Sequence, residues 1–268
     1  MVQVEESART WHHGLVARWW AEFNHGGEDV EFFRRAIERS GEPALDAGCG
    51  TGRLLLPFRR AGLDVDGSDA APDMLAWCRK AAEEEGLSVA LHLQAMHRLQ
   101  LPRRYRTIIA CGSFGLGGSR EQDLEGLRRI RQHLEPGGHF VMDHHLPNLE
   151  SPKSWGAWVE KPNLPRPWPE RGQRRVASDG TALEMRVRQV AFDPLAQTTT
   201  LAIRISQFHG EKQVNVEEHA IDINLYFRKE IELMLAVAGF RNIRVEAFGE
   251  DRAPEPWVDE RIIFSAVA

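Results

Sequence analysis

Ala44-Leu45-Asp46-Ala47-Gly48-Cys49-Gly50-Thr51-Gly52-Arg53 decides the fold of this chain. It reads as an apolar strand end, a glycine loop and the start of a helix. Without side chains in the way, a ligand can lie directly against the loop backbone. The helix start adds free N–H groups and positive dipole at the same place. Such a turn suits a nucleotide or a nucleotide-like cofactor. A dinucleotide fingerprint, G-x-G-x-x-G, would need glycine where Arg53 stands, and no Gly-Lys-Ser/Thr follows to make a Walker phosphate loop. Instead Gly48, Gly50 and Gly52 alternate behind an acid, Asp46.

Working outward, Leu63-Asp64-Val65-Asp66-Gly67-Ser68-Asp69 reads as a second strand ending in an acid. Asp69 lies 17 residues after Gly52, near the ~20-residue offset at which an acid meets ribose hydroxyls in nucleotide folds. A carboxylate accepts both hydrogen bonds of a vicinal diol, which neither lysine nor an apolar side chain does. Ala71-Pro72-Asp73-Met74-Leu75 then opens a helix, with Pro72 suited to its first turn.

Glycine loop, second-strand acid and proline-started helix together resemble the class I S-adenosylmethionine (SAM) methyltransferases. So do the turn Leu134-Glu135-Pro136-Gly137-Gly138 and the stretch from Tyr226 to Ala238-Gly239-Phe240. The resemblance is greatest to small-molecule members with an inserted antiparallel sheet, some of which N-methylate amino sugars. It implies SAM as cofactor and S-adenosylhomocysteine as product. It implies cofactor contacts from Asp46, Gly48, Cys49, Gly50 and Arg53 in the loop, and from Asp69, Ala70 and Met74 after the second strand. Ala95, Met96 and His97 would meet the adenine. The acid usual after the third strand is missing from Gln94-Ala95-Met96-His97, so Gln94, His97 or the backbone would replace it. Cys111, at the end of the fourth strand, would lie near the sulfonium, and Trp11 or His12 would close over the cofactor. Ser113, Phe114, Trp155, Trp158 and Tyr226 are the expected acceptor contacts.

The bulk numbers set bounds. The 268 residues allow one large domain with an accessory layer, and 42% apolar and 27% charged residues are ordinary for a globular chain. A net charge of −5 gives no electrostatic case for nucleic acid. Three scattered cysteines (Cys49, Cys78, Cys111), no signal-peptide pattern and no long apolar run point to the cytoplasm, away from membranes. No C-x-x-C or H-E-x-x-H spacing argues for a metal.

Strand and helix patterns alternate through residue 146, implying a Rossmann-like, doubly wound parallel sheet. Residues 1–40 are expected to form a helical lid, with helix over 9–40 broken at Asn24-His25-Gly26-Gly27. Residues 41–146 form the SAM-binding core, with a third strand over Ser88–Ala95 and a fifth over His139–Leu146. Residues 147–226 form an inserted unit. Its first part, 147–172, holds six of the fourteen prolines together with Trp155, Trp158 and Trp168. Period-two runs follow at Leu183/Met185/Val187, Leu201/Ile203/Ile205 and Ile221/Ile223/Leu225, reading as an antiparallel sheet with one apolar face open to substrate or to a second copy. Residues 227–268 add a helix and two strands that complete the core.

Methyl transfer is an in-line displacement, so the enzyme mainly aligns the reactants and excludes water. A base matters only when the acceptor must lose a proton. His144 and His145, at the carboxyl edge of the fifth strand, are the candidates. Asp143 is expected to satisfy a backbone group. Trp168 and Phe208 could join an aromatic acceptor wall. Two other readings stay open at this point: a SAM-dependent reaction without methyl transfer, such as a cyclisation, and a regulatory protein that holds SAM without turnover.

Overall fold

The computed structural model describes residues 10–147 and 161–268. Its centre is a seven-stranded sheet. The strands are β1 Ala44–Ala47, β2 Val65–Asp69, β3 Leu91–Leu93, β4 Tyr105–Ala110, β5 Leu134–His145, β10 Arg241–Ala247 and β11 Arg261–Val267, in the order β10-β11-β5-β4-β1-β2-β3. From β5 to β3 every pairing is parallel, while β11 runs antiparallel to both β5 and β10. All four residues of β1 are buried, as a central strand covered on both faces requires.

Successive side chains divide between two cores. Ile108, Phe140 and Phe264 face helices α5 (Arg120–His133) and α6 (Arg228–Val237) through Leu127, Ile130, Ile231 and Leu235. Ile109, Val141 and Ile263 face α2 (Glu28–Ser40), α3 (Leu55–Arg60) and α4 (Pro72–Glu84) through Phe33, Ile37, Phe58 and Cys78.

The expected inserted sheet is present as four antiparallel strands: β6 Gln173–Val176, β7 Ala182–Asp193, β8 Thr198–His209 and β9 Lys212–Asn224. Its apolar face is covered by α1 (Gly14–Phe23). Leu183, Ile203, Ile205 and Ile221 pack against Trp11, Leu15, Val16 and Trp19. That face is therefore not open to substrate or to a second copy. The opposite side of α1 packs on α4 through Ala17, Trp20, Ala71 and Met74. Backbone bonds latch the same helix at its start: Gly14 N–H donates to Asp73 Oδ2 at 2.7 Å, and Leu15 N–H to Glu217 Oε2 at 2.8 Å.

Several boundaries differ from the sequence expectation. Residues 10–13 are irregular, with His13 N–H bonded back to the Trp11 carbonyl at 2.8 Å, and helix begins only at Gly14. β3 shrinks from the expected eight residues to three, because Gln94 turns to bond Gln100 and the chain enters a 3₁₀ turn at Met96–Arg98. β5 starts at Leu134, running through the Pro-Gly-Gly turn with a register shift against β4. β6 lies in an arginine-rich edge segment with every residue exposed, so it carries no apolar period to betray it. No described helix is long and apolar enough to cross a membrane.

Candidate active site

The carboxyl ends of β1, β2 and β4 open into a cavity of about 290 Å³, roofed by Thr10, His12, Trp20 and Asn24. Ligands bind at this edge in open parallel sheets because the strand order reverses there and the loops diverge. The glycine loop forms the floor. Gly48 has φ +86°, and a Cβ there would fall 2.4 Å from Ser113 Cβ, so only glycine fits. Gly50 lies beside Met74, and Gly52 beside Cys78 and Leu56.

Asp46 is the most informative side chain of the floor. It is 1% exposed, and neither carboxylate oxygen has a partner among the described residues. Burial pushes its carboxyl up to about 7, against the pull of nearby Arg53. An unpaired buried acceptor costs about 1–3 kcal/mol, and native structures seldom leave one without a ligand or water to meet it. A cationic donor such as an ammonium group fits this position.

Asp69 closes the β2 side. Its Oδ2 accepts from Gly50 N–H and its Oδ1 from Ala71 N–H, each at 2.8 Å. The side chain therefore braces the loop against the start of α4. Burial raises its carboxyl, with the amide bonds opposing. Ala70, Met74, Ala95 and Met96 complete this end. Gln94 also lines the cavity, with its amide bonded to Gln100, accepting at 2.7 Å from the backbone N–H. His97 Nε2 is buried without a partner, and burial lowers the ring's pKa, leaving a neutral imidazole free to bond an adenine edge.

Arg53 lines the cavity but is already engaged. Its Nη1 donates to Asp29 Oδ1 at 2.7 Å and its Nη2 to Cys111 Sγ at 3.3 Å. Asp29 also takes Arg261 at 3.1 Å, and Arg261 lies 2.6 Å from Asp143. Burial alone would raise the Asp29 carboxyl, but hydrogen bonds from Arg53 and Arg261 hold it below the usual carboxylate range. Losing one member of such a buried network costs on the order of 3–5 kcal/mol, since it leaves the others unpaired. Within it, burial and Asp143 push the Cys111 thiol up, so it stays protonated.

The remaining expected residues divide sharply. Ser113 and Phe114 do line the cavity; Ser113 Oγ donates to the Ala47 carbonyl at 2.9 Å. Cys49 contributes its backbone only, because its side chain belongs to the core beside Leu55 and Cys78. Trp11 is buried against the inserted sheet, and His12 and Trp20 take the roofing position instead. His144 and His145 are not among the lining residues. His144 Nε2 is held 2.8 Å from the Tyr226 carbonyl and burial lowers its pKa, while His145 is exposed. Asp143 satisfies Gly112 N–H at 2.6 Å, as expected of a strand-end acid. Tyr226 stands behind the wall, its ring 5.5 Å from Phe114 and its hydroxyl donating to Asp123. Trp168 lies under Arg188 and Arg204, and Phe208 under Arg174, away from the cavity. Trp155 and Trp158 lie outside the described residues.

Sequence reasoning missed Leu116, Gly118, Gln122 and Asp123, which line the end of the cavity beyond Phe114. The one local signal was the capping box of Ser119 and Gln122, which starts α5 there.

Residues 44–138 match a family described as a methyltransferase domain. The chain is similar to the demethylmenaquinone methyltransferase of Thermus thermophilus, at 34% identity over 123 residues covering 43% of this chain and 54% of that protein. It thus spans about half the length of that curated relative. Among solved structures, the CcbJ methyltransferase of Streptomyces caelestis superposes with a TM-score of 0.71 at 20% identity, covering 94% of this chain and 96% of that one. The sugar N-methyltransferase KedS8 of a Streptoalloteichus species gives 0.64 at 19% identity, over 89% and 85%. Residues 44–138 thus match a methyltransferase-domain family, within a chain that shares the fold of solved SAM-dependent methyltransferases.

Proposed function

We propose that this chain is a SAM-dependent methyltransferase acting on a small molecule. The observation that carries the reading is the orphaned carboxylate of Asp46 beneath the glycine loop, in the same cavity as Asp69. Asp46 would pair with the ammonium of the methionine tail, and Asp69 with the ribose diol. His97 Nε2 would meet the adenine, and the Cys49–Thr51 backbone would support the tail. Bound there, SAM supplies a methyl group on a cationic sulfonium, which leaves as S-adenosylhomocysteine.

The chain's own part is alignment and exclusion of water. Thr10, His12 and Trp20 roof the site, and Phe114 walls it. Burial and neighbouring His13 push His12 down to about 4, so its ring is neutral near neutral pH and brings no positive charge toward a sulfonium. Arg53 is likewise neutralised by Asp29. A cytoplasmic setting fits the three free thiols.

Calorimetric titration with SAM and S-adenosylhomocysteine tests the reading. Both bind the wild type, and Asp69→Ala loses roughly 10–100-fold in affinity as hydrogen bonds to a charged group disappear. Failure of both ligands to bind the folded protein would sink the proposal. Product mass separates methylation, which adds a methyl group, from any SAM-dependent reaction that does not.

A further inference from the structure

We propose that Asp123 is the acceptor-binding residue of this cavity, and that it receives an amine presented as its ammonium ion. The inference rests on the methyltransferase reading above and names the substrate class of the same site.

Three carboxylates line the cavity among the described residues: Asp46, Asp69 and Asp123. The first two belong to the glycine loop and the end of β2. Asp123 stands apart, with Leu116, Gly118 and Gln122, beyond Phe114. Its Oδ2 is fully used. Asn224 Nδ2 donates to it at 2.7 Å and Tyr226 Oη at 2.8 Å. Its Oδ1 takes no hydrogen bond from any described residue, and a Cβ on Gly118 would stand 3.2 Å from Gln122 Oε1 and 3.6 Å from Oδ1.

The frame that supports this part-buried acid is extensive. Asn224 Nδ2 also donates to the Gly118 carbonyl at 2.9 Å. Gly117 N–H bonds Asp222 O and Asn224 N–H bonds Gly115 O, so the end of β9 is stitched to the loop that follows β4. Arg120 Nη2 donates to the Leu225 carbonyl at 2.8 Å and its guanidinium lies over the Tyr226 ring, close enough for its charge to act on Asp123. The carboxylate is thus oriented by two donors on one oxygen and left open on the other. That is the arrangement for accepting a hydrogen bond from a ligand. Burial raises its carboxyl, while Asn224, Tyr226 and the Arg120 charge oppose the rise, and the net shift brings it closer to the range of a working proton acceptor.

An amine is the acceptor that needs this group. In water it is protonated and has no lone pair to offer. The ammonium ion gives one proton to Asp123 Oδ1 and becomes a neutral amine. The nitrogen lone pair then forms the new N–C bond to the methyl carbon as the C–S bond breaks. That bonding pair stays on sulfur, so the sulfonium becomes a neutral thioether and the positive charge passes to nitrogen. Asp123 afterwards returns its proton to water. A neutral alcohol gains far less from a buried carboxylate, because it brings no charge to pair with it.

The test uses the full chain saturated with S-adenosylhomocysteine and titrated calorimetrically. The probes are ethylamine, cyclohexylamine, benzylamine and glucosamine, each against its matching alcohol. At least one amine should bind about tenfold or more tighter than its alcohol, and Asp123→Asn should erase that preference. Asparagine can still accept from Asn224 and Tyr226, and intact S-adenosylhomocysteine binding certifies the fold. Gly118→Ala, whose Cβ would crowd Gln122 at 3.2 Å and touch Oδ1 at 3.6 Å, should weaken the same amine and leave the cofactor untouched. No amine preference in the wild type, or an equal preference in Asp123→Asn, would overturn the assignment. Loss of S-adenosylhomocysteine binding by the wild type would instead overturn the methyltransferase reading itself.

Discussion

The two ends of the cavity are built in opposite ways. The floor around Asp46, Gly48, Gly50 and Asp69 comes from two consecutive strand–loop–helix units, within residues 44–74. The end around Asp123 is assembled from the loop after β4, the first turn of α5 and the last residues of β9, about a hundred positions further along the chain. Local construction leaves a spacing that can be read in sequence. Assembly across three segments leaves none. The difference also predicts independence: damage at one end should spare the other.

The largest effect should come from Gly48→Ala. The added Cβ meets Ser113 at 2.4 Å in a backbone region alanine rarely adopts. SAM binding should vanish in calorimetry, and chemical denaturation should show a loss of about 1–3 kcal/mol from backbone strain. Retained SAM affinity would break the account of the floor.

A smaller effect, with a definite sign, belongs to Asp46. Its carboxyl ordinarily titrates near 3.8 and in the folded protein near 7. Between those values the native state holds a proton that the unfolded chain has released. Stability therefore falls as pH rises from 3.8 to about 7, and the deficit persists above. Asp46→Asn should remove that slope and be the more stable protein above pH 7. The same carboxylate must be charged to hold an ammonium, so SAM affinity should weaken as pH drops below about 7 in the wild type and lose that dependence in Asp46→Asn. Melting curves and titrations across pH check both, and parallel profiles for the two proteins would refute them.

The smallest effect should come from the histidine pair. A general base contributes about 10²–10⁴-fold, so a double His144→Gln, His145→Gln variant that keeps turnover within about threefold excludes that role for both. A hundredfold loss would return the base to the end of β5 and remove it from Asp123.

These contrasts explain what was legible. The parallel sheet, the glycine loop, Asp46 and Asp69 follow from period and spacing, which are local. The inserted sheet was legible from alternation at Leu183, Ile203 and Ile221, but not its covering by α1, since no pattern within a strand names the element that packs on it. The histidines were chosen for chemistry at a strand end, where neighbours point to opposite faces. There Asp143 turns to Gly112 N–H while His144 turns to the Tyr226 carbonyl. Trp11 and His12 also part ways in the irregular stretch before α1: one ring goes to the core, the other to the cavity.

The charge network beside the glycine loop has a consequence for how the protein is made. Asp29 comes from α2, Arg53 from the loop, Asp143 from β5 and Arg261 from the first position of β11. A ribosome delivers residue 261 more than two hundred residues after the loop has emerged. Until then Asp29 and Asp143 share no cation from β11, and the central sheet lacks the strand that pairs with β5. The early half of the chain therefore carries every cofactor-facing residue of the floor while a late strand completes the brace that steadies Arg53. Competence to bind should appear only once β11 has been delivered, and not with the first domain-sized segment alone.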